Sequence, residues 1–117
     1  MNIKELLSRY TAGQRDFRNL NLIAANLRNV NLSGANFSGA NLTKANLTRT
    51  NLSHANLTDA TMVGAQLTET NFIGANLTNV NLSEANLSNA YLRGAIMPNL
   101  VSPSFISNSL ESSLTND

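Results

Sequence analysis

The chain has 117 residues, enough for one domain, of which 13% are charged and 5% aromatic, with no Cys and no Trp. The missing cysteines exclude disulfides and thiolate metal sites, and no stretch approaches the roughly 20 apolar residues that span a bilayer. The net charge of +1 hides a gradient: residues 1–50 carry seven bases against two acids, whereas residues 51–117 carry Arg93 against five acids.

The first predicted element lies within residues 1–14, which read as a capping helix and its lead-in. Asn2 followed by Glu5 resembles a capping box. Ile3, Leu6, Leu7 and Tyr10 then follow helical spacing. The pattern predicts a short helix over about residues 2–12. It is short and its polar face is not rich in Lys or Arg, which argues against a membrane-surface helix. Charges at positions 4, 5 and 9 interrupt any signal-peptide core, so a cytoplasmic location is expected.

Residues 15–99 divide into seventeen consecutive fives without an insertion, from RDFRN and LNLIA through ANLTK, ANLTR and TNLSH to AYLRG and AIMPN. The third position is always Phe, Leu or Met, the second is Asn in twelve units, and the fourth is mostly Ser or Thr. On a straight helix, successive third positions would step about 140° around the axis and form no stripe. On a flat strand they would alternate between faces. The pattern is buried only if the chain bends: positions one to three read in, out, in, and the next two residues turn a corner. Small polar residues suit such corners.

The repeated A-N-L-S/T-X resembles the pentapeptide-repeat family. The opening KELLSRYTAGQRDF and the run-out YLRGAIMP resemble the flanks of cyanobacterial members. The resemblance implies an all-β solenoid, a right-handed quadrilateral β-helix with four units per 20-residue coil and about four coils. Leucine-rich repeats, with periods of 20–29 residues, do not fit a strict period of five. Departures are Leu20, where Ala is usual, and Tyr91 and Ile96, where Asn or Asp is expected.

Stacking by 20 assigns a core of seventeen side chains to four faces. Face one takes Phe17, Phe37, Leu57, Leu77 and Met97, and face two takes Leu22, Leu42, Met62 and Leu82. Face three takes Leu27, Leu47, Leu67 and Leu87, and face four takes Leu32, Leu52, Phe72 and Leu92. At roughly 1.5–3 kcal/mol for each fully buried side chain, this column is the main driving force. Both ends of such a rod need covering.

Residues 100–117 leave the repeat as a Ser-rich tail, LVSPSFISNSLESSLTND. Ile106, Leu110 and Leu114, spaced by four, permit an amphipathic helix. The reading leaves open a flexible tail or a segment loosely docked on the last coil or a partner.

No catalytic constellation stands out. His54 is the sole His and sits at a corner with Asp59 one corner on, so nothing assembles a base, an orienting acid and a nucleophile. The repeat-region acids Asp16, Asp59, Glu69 and Glu84 fall on three faces, which offers no convergent metal site. The expectation is therefore no enzyme, no metal and no cofactor. Some members of the family mimic DNA with an acidic rod and bind DNA gyrase. Six bases against four acids in this repeat region argue against that.

Two surface groups remain. Arg28, Lys44 and Arg49 fall on neighbouring faces and could form a weak nucleic-acid patch. Ile23 and Val63, with Thr43 between them, could form a small apolar strip on face two. The expected function is a non-catalytic protein-interaction or regulatory scaffold with an unidentified protein partner. Head-to-tail self-association through the axial charge gradient, giving a homo-oligomer, is the alternative.

Overall fold

The computed structural model describes residues 1–99. The sequence expectation for the Ser-rich tail lies outside those residues.

Helix α1 spans Ile3–Thr11, inside the expected window. Asn2 caps it: its Oδ1 accepts the Glu5 N–H at 2.8 Å, satisfying one of the amides that a helix start leaves orphaned. Only this half of the capping box forms, because the Glu5 carboxylate turns to Arg9 at 2.6 Å. Leu6 is fully buried against the repeat, and Ile3, Leu7 and Tyr10 pack beside it. Tyr10 fixes the docking angle by donating its hydroxyl to the Ser33 carbonyl at 2.6 Å. The Arg15 guanidinium lies 3.7 Å from the Tyr10 ring centroid, a cation–π contact. Helix α1 thus lies over the N-terminal end of the coil.

After α1 the backbone winds in layers. Among the described residues, thirteen parallel bridges join residues 20 apart, from Asp16 and Asn36 to Asn76 and Ile96, and each falls on a second position. A turn every five residues and a bridge every 20 make a coil of four sides. The sides are single isolated bridges, with no extended strand among the described residues. Five residues leave room for one bridging pair before the chain must turn.

The amides can be followed one by one in the unit Ala45–Arg49. Ala45 N–H closes the preceding turn on Leu42 O at 3.0 Å, and Asn46 N–H donates to Ala25 O in the coil before at 2.8 Å. Leu47 and Arg49 N–H donate to Gln66 O and Thr68 O in the coil after, at 2.8 and 3.0 Å. Backbone carbonyls therefore serve positions one, two, three and five. Position four, Thr48, has no backbone carbonyl, and its amide goes to the Asn46 side chain.

The corners need a left-handed residue. φ is positive at every fifth position from Asn19 to Gly94, eleven of them not glycine. Positive φ at the third turn residue, with a bond back to the first, is the pattern of a type II turn. Asn and Gly enter that region most readily, which accounts for the small polar corners seen in sequence.

Inside the coil, sixteen of the seventeen assigned core residues are buried, from Phe17 to Leu92. Met97 is the exception and is only partly buried, because no further coil follows it among the described residues. The Phe17 and Phe37 rings stack with centroids 5.5 Å apart. Ala35, Ala45, Ala55, Ala65 and Ala75 are buried beside the core, where a larger side chain would overfill the coil. Thr50 and Thr70 also occupy first positions and are buried. Their hydroxyls donate to the carbonyls of Leu27 and Leu47 in the coil before. No buried side-chain polar atom among the described residues lacks a partner.

Candidate functional site

The outside of the coil is built by the residues the core does not use: positions two, four and five. The second position does more than face solvent. In all twelve Asn units the Oδ1 accepts the N–H two residues on, at 2.9 to 3.3 Å. Asp16 does the same for Arg18 at 3.2 Å. This is an Asx turn, and it supplies the one amide that the stacked backbone leaves over. Hydroxyls of Thr43, Thr48, Thr58, Thr78, Ser83 and Ser88 donate to the same oxygens at 2.6 to 2.7 Å. From the sequence alone, the second position is read only as pointing outward and the small polar residues only as suited to corners. Their shared i, i+2 spacing is the signal that such a reading passes over.

The pattern also accounts for one departure. Ile96 stands where Asn is expected, but the residue two on is Pro98, which has no N–H to satisfy.

The structure divides the basic trio. Arg28 and Lys44 are exposed. Arg49 is held within its own column, with Nε donating to Asn29 Oδ1 at 3.1 Å and Nη1 3.5 Å from Glu69 Oε1. Its charge is partly answered before any ligand arrives. On face two, Ile23 is 50% exposed, whereas Val63 and the intervening Thr43 are partly buried. The Ile23–Val63 strip is therefore weighted to its N-terminal end.

Two larger apolar side chains, Tyr91 at 36% and Ile96 at 56%, are exposed on the last coil. They occupy second positions on successive sides. Arg18 clasps Asp16 through Nε and Nη2 at 2.9 and 3.0 Å, and this hydrogen-bonded pair holds the Asp16 carboxyl below its ordinary 3.8. His54 is exposed, with its ring lying over Gly74: a Cβ there would come within 2.5 Å of Nδ1.

Among the described residues, no group of three or more acids and histidines could hold a metal ion. No helix among them is long and apolar enough to cross a membrane. A shallow depression lies between α1 and the first coil, lined by Leu7, Tyr10, Thr11, Arg15, Asn29 and Val30.

The repeat matches the family model for pentapeptide repeats in eight copies, over residues 21–59, 35–72 and 60–99. The chain belongs to the pentapeptide-repeat family. Among solved structures, this pentapeptide-repeat chain is similar to alr5209, a pentapeptide repeat protein from Nostoc PCC 7120. The two are 32% identical, with 96% of this chain and 93% of that one covered and a TM-score of 0.52. It is also similar to HetL, a pentapeptide repeat protein involved in heterocyst differentiation regulation in the cyanobacterium Nostoc sp. strain PCC 7120. Identity is again 32% and the TM-score 0.52; the match covers 81% of this chain and 53% of HetL. The chain thus spans about half the length of HetL. No curated protein matches this chain.

Proposed function

We propose that this pentapeptide-repeat chain is a non-catalytic scaffold, its coil winding right-handed as the family implies, that binds a protein partner in a regulatory role in the cytoplasm. The observation that carries the reading is the set of thirteen Asx bonds. They hold the outward side chains of successive units in one repeated conformation, so the lateral faces are ordered before a partner arrives. Association then forfeits little side-chain freedom, a main cost of binding. HetL is involved in heterocyst differentiation regulation, and that likeness supports a regulatory role for this shorter chain of the same family.

Arg28 on the third face, and Lys44 with Ile23 and Val63 on the second, are the side chains offered for contact. A nucleic-acid patch is less well supported, since Arg49 is already bonded to Asn29 and Glu69. Head-to-tail stacking is also less well supported, because α1 occupies the end that would receive another coil.

The test is capture from an extract of the native host with the intact chain, then with Arg28→Glu/Lys44→Glu and with Ile23→Asp/Val63→Asp. Circular dichroism establishes that each variant is folded. Loss of the same captured protein with one variant and its retention with the other identifies which side chains make the contact. Unchanged recovery with both, and with matching charge substitutions on the other two faces, refutes the proposal.

A further inference from the structure

The Asx bonding lapses in two consecutive units. Residues 60–69 carry Thr61 and Gln66 at the second positions, where twelve other units carry Asn. Among the described residues, no acceptor reaches the Val63 or the Thr68 N–H. The Thr61 side chain is one bond shorter than Asn and leaves its amide unanswered. In the other units this amide meets an outward side chain, so at Val63 it opens to the outside of the coil. Val63 is half-buried, and a partly buried backbone N–H without an acceptor is uncommon, because it loses water and gains no bond.

The two open amides differ in their surroundings. Lys44 stands in the layer before Val63, and its own N–H donates to Val63 O at 2.8 Å. Its stem crosses the Gly64 corner, where a Cβ would lie 3.5 Å from Lys44 Cγ. Lys44 is exposed, and no carboxylate among the described residues pairs with it. Glu84, the acid of that corner column, stands one layer beyond Gly64 and forms no ion pair with it. The Thr61 hydroxyl also has no partner. An amide, a hydroxyl and an ammonium therefore share one side of the coil, all of them free to donate. Thr68 is placed otherwise. Glu69 follows it directly, with Oε1 3.5 Å from Arg49 Nη1, so a second anion there meets a carboxylate and a cation already engaged.

A carboxylate suits the first group, because it only accepts and carries the charge opposite to Lys44. Charge-assisted hydrogen bonds of this kind are stronger than neutral ones. The half-exposed Ile23 and the partly buried Val63 lie on the same face. They offer apolar contact to the rest of a polypeptide, which a free inorganic anion would leave unused.

We propose that Thr61, the Val63 amide and Lys44 form a carboxylate site on the second face, filled by an Asp or Glu side chain of the protein partner. The partner's oxygen takes the place that Asn Oδ1 holds in the other units. This rests on the reading of the chain as a protein-binding scaffold and names the group by which that face is recognised.

The test is titration of the full chain with sodium acetate, exchanged for sodium chloride at fixed pH and ionic strength, while amide resonances are followed by nuclear magnetic resonance. The Val63 N–H is expected to move saturably and at least about threefold further than the Thr68 N–H. Thr61→Asn restores the acceptor used elsewhere in the repeat and should cut the Val63 movement at least about threefold. Lys44→Gln leaves the amide open and should weaken acetate binding about threefold or more. A flat or linear response at Val63, an equal response in Thr61→Asn, or a stronger response to inorganic phosphate than to acetate overturns the proposal. So does a captured host protein whose recovery Thr61→Asn leaves unchanged. Acetate involves no partner, so a flat titration removes this site and leaves the scaffold reading standing. Capture that survives substitution of every face removes the scaffold reading and leaves the acetate response in place.

Discussion

Removing one Asn side chain from the middle of the coil tests the amide accounting directly. In Asn46→Ala, the Thr48 N–H and the Thr48 hydroxyl both lose their acceptor, which they reach at 3.1 and 2.7 Å. No backbone carbonyl stands in, because the neighbouring carbonyls already accept from Leu47, Arg49 and Thr50 or face the adjoining coils. Thr48 is partly buried, so water replaces the bonds only in part. At about 0.5–1.5 kcal/mol net for each hydrogen bond, the loss should be about 1–2.5 kcal/mol. Asn46→Asp keeps an acceptor oxygen in place, as Asp16 does natively for Arg18, and should lose much less. The assay is urea unfolding followed by far-ultraviolet circular dichroism, reading the midpoint at constant m. High salt, with a Debye length of about 3 Å at 1 M, removes the added charge from the comparison. If Asn46→Ala shifts stability by less than about 0.3 kcal/mol, or if Asn46→Asp costs as much, the side chain is not the missing acceptor.

Three further outcomes are expected. Leu47→Ala should cost about 2–5 kcal/mol through the cavity it leaves, and Met97→Ala clearly less, because Leu47 is buried and Met97 only partly so; the same unfolding assay ranks them. Ala24→Gly should stabilise the fold by about 0.5–1 kcal/mol, since relief of a left-handed alanine at φ 58 exceeds the extra entropy glycine loses on folding. Asp16 titrates below its ordinary 3.8 in the folded chain because Arg18 bonds its charged form. Its contribution is complete above that ordinary value and fades as pH falls through the depressed one. Asp16→Asn, which keeps the acceptor for the Arg18 amide, should flatten that part of the curve of melting temperature against pH.

The winding was legible in the sequence for a simple physical reason. A period of five fits neither the helix nor the flat strand, so Phe17, Leu22, Leu27 and their successors reach a common interior only if the chain bends. The N-terminal helix was legible from Asn2 and the spacing of Leu6 and Tyr10. The role of Asn at the second position was not, because an exposed Asn in a list of polar residues looks like solvated surface until the backbone amides are counted. The division of the basic trio was equally hidden. Arg49 and Glu69 are 20 positions apart, and they meet only because the layers stack in register. Met97 followed the core pattern in sequence but has no layer beyond it among the described residues.

Bridges that join each residue to the one 20 places on make the architecture modular in a quantised way. Excising 20 consecutive residues, such as 41–60, removes one storey and leaves every vertical column aligned with its old neighbours. Excising five preserves the local turns but rotates everything downstream by a quarter of the circumference relative to α1. Evolution can therefore lengthen or shorten such a rod by whole storeys without re-deciding which residues face the same way.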